Sequence, residues 1–195
     1  MRYLNLHIYW SKSGMMGSEI AKQWMNEVFL PIVEQDSVLI IDSWKGYAQM
    51  LRLSGIAEKN LKIVQLTGGT TFVLQPADVY FNRPFKQFIR KVCCKVRWRH
   101  NDYTLSVRKN ILDMLDMLWY QCKAEKFHNL LKYSWYRAGY FEQHPPPFQT
   151  PVQFCLGFRG YMKCEALECD SFAFLRCAHC EKHFCFHDVL EHRDQ

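Results

Sequence analysis

The sequence predicts an α/β chain: helices around a short sheet with parallel strands, followed by a small Cys/His-rich metal-binding module. Three observations lead there. Two apolar runs, "SVLIID" at 37–42 and "LKIVQLT" at 61–67, alternate with segments of helical spacing. That order builds parallel strands with helices packed against them. A Pro-rich stretch, "HPPPFQTP" at 144–151, then interrupts the chain, and six of the nine Cys follow residue 154, interspersed with His. In an intracellular chain such clustering suits metal rather than disulfides.

Each element has its own reason. "LNLHIYW" at 4–10 alternates and carries β-branched and aromatic side chains, which predicts a first strand. "GSEIAKQWMNEVFL" at 17–30 places Ile20, Ala21, Trp24 and Val28 at helical spacing, with Ser18 as N-cap and Pro31 at the end. The run at 37–42 is continuous and apolar, as a strand buried on both faces would be. A second helix is expected over 45–55, and the next strand over 61–67. A helix after Gln75 runs into the Arg90 region. Residues 104–123 carry Leu105, Ile111, Leu112, Leu115, Leu118 and Trp119 on one stripe, the mark of a long helix. A shorter helix ends near Gly139. Residues 144–151 can be neither helix interior nor central strand and are expected as a linker. The expected division is 1–143, the linker 144–151, and a Cys/His module at 152–195.

The totals bound the function. At 195 residues, one domain or slightly more is expected. A hydrophobic fraction of 49% can build a core. The formal charge of +6 permits nucleic-acid binding through phosphates without requiring it. No apolar run is long enough for a membrane span, and the first residues lack a secretory signal pattern; intracellular placement is the expectation.

Two acids stand at positions that matter. Asp42 closes the first apolar run, and Asp78 begins the helix after the second, with 35 residues between them. The carboxyl edge of an open α/β sheet is where ligands gather. Two carboxylates there could hold Mg²⁺ or Mn²⁺ for phosphoryl transfer. The plainer alternative is that Asp42 ends a strand and Asp78 favours a helix N-terminus.

Taken together, "VLIIDSW" and "LTGGTTFVLQPADVYFNRPFKQFIRK" resemble the DDE superfamily endonucleases of the mariner/pogo transposase group. "SGMMGSEIAKQWMNEVFLP" is similar to the family's helix before its second acid, and "LLKYSWYRAGY" to a late segment. The resemblance covers roughly residues 3–142, and Gln75-Pro76-x-Asp78 is its most specific part. It implies an RNase H-like fold, divalent-metal chemistry on DNA and a nuclear location. It matches Asp42 to the second catalytic acid and Asp78 to the third. The family's first Asp lies on an earlier strand, which this chain is expected to lack; Glu19 and Asp36 do not occupy its place. Ser43 and Trp44 stand where Asn commonly follows the second acid, with Tyr47 nearby. The expectation is therefore an N-terminally truncated domain that binds nucleic acid but is catalytically impaired. The alternatives are an active strand-cleaving enzyme completed by upstream sequence, or a zinc-finger adaptor for a protein partner.

Arg83, Lys86, Arg90, Lys91, Lys95, Arg97 and Arg99 lie between Asn82 and His100 with no acid among them. On a helix, Arg83, Lys86 and Arg90 share a face. They are expected to hold DNA phosphates behind the metal-binding Asp78; a solvated basic face is the alternative. No helix-turn-helix reader is recognisable.

The tail reads C-x4-C-x7-C-x2-C-x4-C-x-H-x4-H, through Cys164, Cys169, Cys177, Cys180, Cys185, His187 and His192. Cys177 and Cys180 have zinc-knuckle spacing, and the whole is similar to cross-brace fingers. Structural Zn²⁺ is expected. Seven candidates leave two four-ligand sites one short: Cys155, His179, His183 or Asp194 could supply the eighth, or a single site forms. Cys93, Cys94 and Cys122 fall on expected helices and are read as packing residues.

Overall fold

The computed structural model describes residues 6–158 and 160–192. The chain divides into two compact units, His7–Gln75 and one built from Pro76 onward.

The first unit holds α1 (Ser18–Trp24), a π-helical turn (Met25–Phe29), α2 (Leu30–Ile32), β1 (Val38–Ile41), two 3₁₀ turns (Lys45–Ala48 and Met50–Arg52), α3 (Ser54–Glu58), β2 (Lys62–Gln65) and α4 (Thr71–Leu74). β1 and β2 pair in parallel, with Val38 opposite Lys62 and Ile41 opposite Gln65. The parallel pair is as the alternation requires. The core is Ala21, Met25, Leu30, Ile41, Met50 and Leu61.

Several expectations change in this unit. Residues 6–10 form no strand, and residues 4 and 5 lie outside the described residues. Ser18 is the first residue of α1 and Gly17 is the cap. β1 is not buried on both faces: only Ile41 is buried and Val38 is 54% exposed, because a two-stranded sheet has little with which to cover a second face. The helix expected over 45–55 is two 3₁₀ turns, and α3 starts only at Ser54. Gly55 sits inside α3 because Leu30 presses on it; a Cβ there would lie 2.6 Å from Leu30 Cδ1.

The second unit begins with a π-helical turn (Ala77–Phe81) and continues through α5 (Asn82–Arg99), α6 (Arg108–Cys122), a 3₁₀ turn (Glu125–Phe127), α7 (His128–Arg137), α8 (Pro151–Cys155), the hairpin β3 (Leu175–Arg176) and β4 (His183–Phe184), and α9 (Phe186–Glu191). Both π turns have one cause. A helical Pro lacks an N–H, and its ring crowds the carbonyl four residues back. For Pro31 that carbonyl belongs to Glu27, and for Pro84 to Tyr80; each lies inside a π turn. α7 ends in a Schellman turn: Gly139 takes φ +83°, and the Tyr140 N–H donates to Trp135 O at 3.0 Å.

The Pro-rich stretch 144–151, expected as a linker, runs within this unit rather than between the two. Phe148 packs on Tyr133, ring centroids 5.3 Å apart, and His144 on Tyr136 at 5.0 Å. Its last residue starts a helix: Thr150 and Gln153 form a capping box ahead of Pro151 at N1. The tail beyond packs against the helices of this unit. One core joins Phe88, Val92 and Val96 of α5 and Met117 of α6 to Phe174, Leu175, Cys177, Phe186 and Val189. Some forty residues bury too little apolar surface by themselves, and here the tail borrows the helices' surface. No helix among the described residues is long and apolar enough to cross a membrane.

Candidate nucleic-acid interface and metal centres

Asp42 follows directly on β1. Its Oδ1 accepts the Trp44 N–H at 3.1 Å, and Ile41 O accepts the Leu66 N–H at 2.8 Å, tying the strand end to the segment after β2. Burial, then the Asp42 carboxylate, pushes the Tyr47 hydroxyl above the usual tyrosine range. Asp42 therefore sits half-buried among polar partners at the carboxyl end of a parallel strand.

Asp78 belongs to the second unit and lies in the π turn that leads into α5. It is exposed, and its Oδ1 accepts from Asn82 Nδ2 at 2.8 Å. Asp78, Asn82, Arg83, Lys86 and Arg90 line one depression of about 440 Å³. At about 100° per residue, Arg83, Lys86, Arg90 and Arg97 fall within a stripe roughly 60° wide. All four are exposed, while Phe88, Val92 and Val96 on the far side are buried. The helix thus turns one face to the core and a row of cations to water. Lys91 is exposed beside the row.

Lys95 stands apart from the other cations expected to hold phosphates. It donates to Phe174 O and lies over the Phe174 and Phe158 rings at 4.9 and 5.0 Å. Burial, and then the charge of Arg99, lowers it to about 8. Its stem and charge fasten the tail to α5. Cys94, expected to pack, is exposed because it shares the cationic side of the helix; Cys93 is half-buried and Cys122 buried.

The tail gathers two groups of possible metal-holding atoms among the described residues. One is Cys164, Cys169, Cys185 and Asp188; the other is Cys177, Cys180 and His192. Within each group the donor atoms lie within 4.8 Å of one another. The pairing is interleaved along the chain, as in a cross-brace. Cys177 and Cys180 stand at the turn of the β3–β4 hairpin, and Glu181 takes φ +64° to close that knuckle, its N–H donating to Cys177 O at 3.0 Å.

In the first group Cys169 Sγ and Cys185 Sγ are 4.0 Å apart, and Asp188 Oδ2 is 3.0 Å from Cys164 Sγ and 3.1 Å from Cys185 Sγ. Zn–S bonds of about 2.3 Å in a tetrahedron set sulfurs about 3.8 Å apart, so the donor set fits that ion. Burial raises the Cys164 and Cys185 thiols, and the Cys164 thiol leads the hydrogen bonds that hold Asp188 low. In the second group Cys180 Sγ and His192 Nε2 are 3.4 Å apart. Asp194, one expected partner, lies outside the described residues.

His187 joins neither group. It is exposed, 6.1 Å from the His100 ring. Asp188 takes its place because Cys185 caps α9: its sulfur accepts the Asp188 N–H at 3.5 Å, folding the third helical residue back over the cap. A Cys-x-x-Asp spacing at a helix start was the available signal. The other candidates for an eighth ligand are engaged elsewhere. His179 contacts Tyr120 O at 2.8 Å, His183 contacts Glu165 at 2.9 Å, and Cys155 is fully buried. Gln121, fully buried on α6, accepts the Ala178 N–H at 2.6 Å and points Nε2 at Cys177 Sγ, 3.7 Å away. Nothing in the tail's own spacing announces this residue.

A strand-end acid, an acid heading a cationic helix and a Cys/His tail sharing that helix's core suit a protein that handles phosphodiesters. Comparison with known families gives the class. Residues 1–135 match the family described as DDE superfamily endonuclease, and residues 135–194 match the Tc5 transposase C-terminal domain. The chain belongs to the DDE superfamily endonuclease family, and its function is transposase-related. Such domains imply DNA as partner and divalent metal as cofactor. No curated protein and no solved structure matches the chain.

Proposed function

We propose that this chain is a transposase-derived, RNase H-like domain that binds DNA through the exposed face of α5 and carries Asp42 and Asp78 as the second and third acids of a DDE set. The observation that carries this is the row Arg83, Lys86, Arg90 and Arg97 behind Asp78, with the first three lining one depression with that acid. Cations in a row on a rigid helix neutralise successive phosphates. A divalent ion held by such carboxylates supplies the charge that activates an attacking oxygen. Two acids hold and centre that ion less well than three, so cutting that relied on Asp42 and Asp78 alone would be impaired. The tail supports α5 from behind, and Zn²⁺ on Cys164, Cys169, Cys185 and Asp188, and on Cys177, Cys180 and His192, would lock that support. A DNA partner places the protein in the nucleus.

The test is binding and cutting in one preparation. Duplex affinity is measured against salt, and plasmid nicking is followed with Mn²⁺. Gln substitution of Arg83, Lys86 and Arg90 together should weaken binding and flatten the salt slope by about 2 to 3 units. An unchanged slope would refute the interface. Nicking that Asp42→Ala abolishes would refute the impairment while upholding the acid's role.

A further inference from the structure

The interface above concerns duplex backbone, but the tail presents a surface of different chemistry. Where it packs against the end of α5, Arg99, His100, Phe172, Phe174, Phe186 and His187 are among the residues around a cavity of about 430 Å³. The floor is aromatic: His100 stacks on Phe186, centroids 4.5 Å apart, and Phe174 lies 4.9 Å from Phe186. At the mouth stand Tyr161 and Phe172, 86% and 58% exposed, their centroids 5.5 Å apart. A second depression of about 380 Å³ shares Arg99, Tyr161 and Phe172, so this ring pair forms a ridge with a hollow on either side. Lys163 Nζ lies 6.0 Å from the Phe172 ring centroid, next to Asp170. Burial first, and then the charge of His187, lower the pKa of the His100 imidazole; Asp102 opposes them, and Arg99 and Lys95 add to the lowering.

We propose that this pocket takes an unpaired nucleobase, stacked on Tyr161 and Phe172, with Arg99 on its flanking phosphate. Single exposed aromatic rings are ordinary on protein surfaces. Two adjacent ones beside an aromatic-floored cavity, with a cation on the rim, are the elements of a stacking platform for single strands. Charge selects the ligand. Arg99 lies on α5 about 13 Å along the axis from Arg90 at 1.5 Å per residue and, at about 100° per residue, roughly half a turn round the helix from it, so a strand tracked by the row reaches the pocket by crossing over the end of α5. Duplex bases offer no free face, whereas an overhang or an extruded base does. The proposal rests on the reading of α5 as a DNA-binding face.

The test uses the full chain and two DNA probes: a blunt duplex, and the same duplex with a short single-stranded tail on one strand. The tail should tighten binding. The double substitution Tyr161→Ala/Phe172→Ala should remove that gain, roughly 10- to 100-fold on the tailed probe, and leave blunt-duplex affinity and salt slope unchanged. Tyr161→Phe/Phe172→Tyr should keep the gain. Because both rings are exposed, a melting curve matching the parent is expected. A tail that adds nothing, or a gain that survives the double Ala substitution, overturns the proposal. Gln at Arg83, Lys86 and Arg90 should weaken both probes alike. If it weakens neither while the rings still govern the tail, the α5 interface is refuted and the pocket stands.

Discussion

Gln121→Met tests whether the tail is part of the helical unit. Gln121 is fully buried, and its amide links α6 to the Cys177–Cys180 knuckle. Met has nearly the same volume and leaves the core filled. What is lost is the acceptor for the Ala178 N–H, 2.6 Å away on a residue 3% exposed. A buried donor without a partner costs about 1–3 kcal/mol. The N–H aimed at Cys177 Sγ goes too, and such outer contacts typically tune metal affinity by roughly 10- to 100-fold. Against a total stability of about 5–15 kcal/mol, a loss near 2 kcal/mol is large, and at about 4 °C per kcal/mol it lowers Tm by roughly 8 °C. The assay is urea unfolding at fixed Zn²⁺, with chelator competition on the same samples. A change under about 0.5 kcal/mol together with unaltered Zn²⁺ affinity would refute the shared-core reasoning, because surface substitutions behave that way.

Four further outcomes follow from named contacts. Asp188→Asn should reduce bound Zn²⁺ measured by mass spectrometry of the native protein, while His187→Ala should leave it unchanged. Stripping metal with a chelator should lower the unfolding midpoint of α5 and α6 as well as the tail, read by amide exchange, since one core spans them. Lys95→Ala should destabilise the fold by about 1–2 kcal/mol through the lost Phe174 carbonyl contact and ring contacts, yet leave the salt slope of DNA binding intact. Alkaline pH should weaken the fold through Cys122, whose thiol burial pushes up to about 12. A folded pKa above the unfolded one means full stability below about pH 8.5 and loss above it, at up to about 1.4 kcal/mol per pH unit; Cys122→Ala should reduce that slope in pH-dependent unfolding.

Local pattern was legible because local chemistry set it. The parallel strands at 38–41 and 62–65, α7 and the cationic stripe of α5 follow from side-chain spacing along one element; α6 forms as expected too, but it turns Met114, Met117 and Leu118 to the core while Ile111 and Trp119 of the expected stripe are exposed. The knuckle Cys177-x-x-Cys180 is local in the same way. The misses share a different origin. Lys95 reads as one more cation until Phe174, 79 residues away, supplies a carbonyl. His187 reads as a ligand until Cys185, by capping α9, brings Asp188 round instead. The 45–55 segment has helical spacing, but it closes as two 3₁₀ turns.

The sequence by itself determined the family, the parallel strand pair, the long helices and a tail rich in metal-binding side chains, because each is written in residue types at short separations. Only the tertiary structure decided which tail residues meet, that the tail shares its core with α5 and α6, and which cations remain free to face a phosphate. Those depend on contacts between residues far apart in the chain, where burial and hydrogen bonding, rather than spacing, choose the partner.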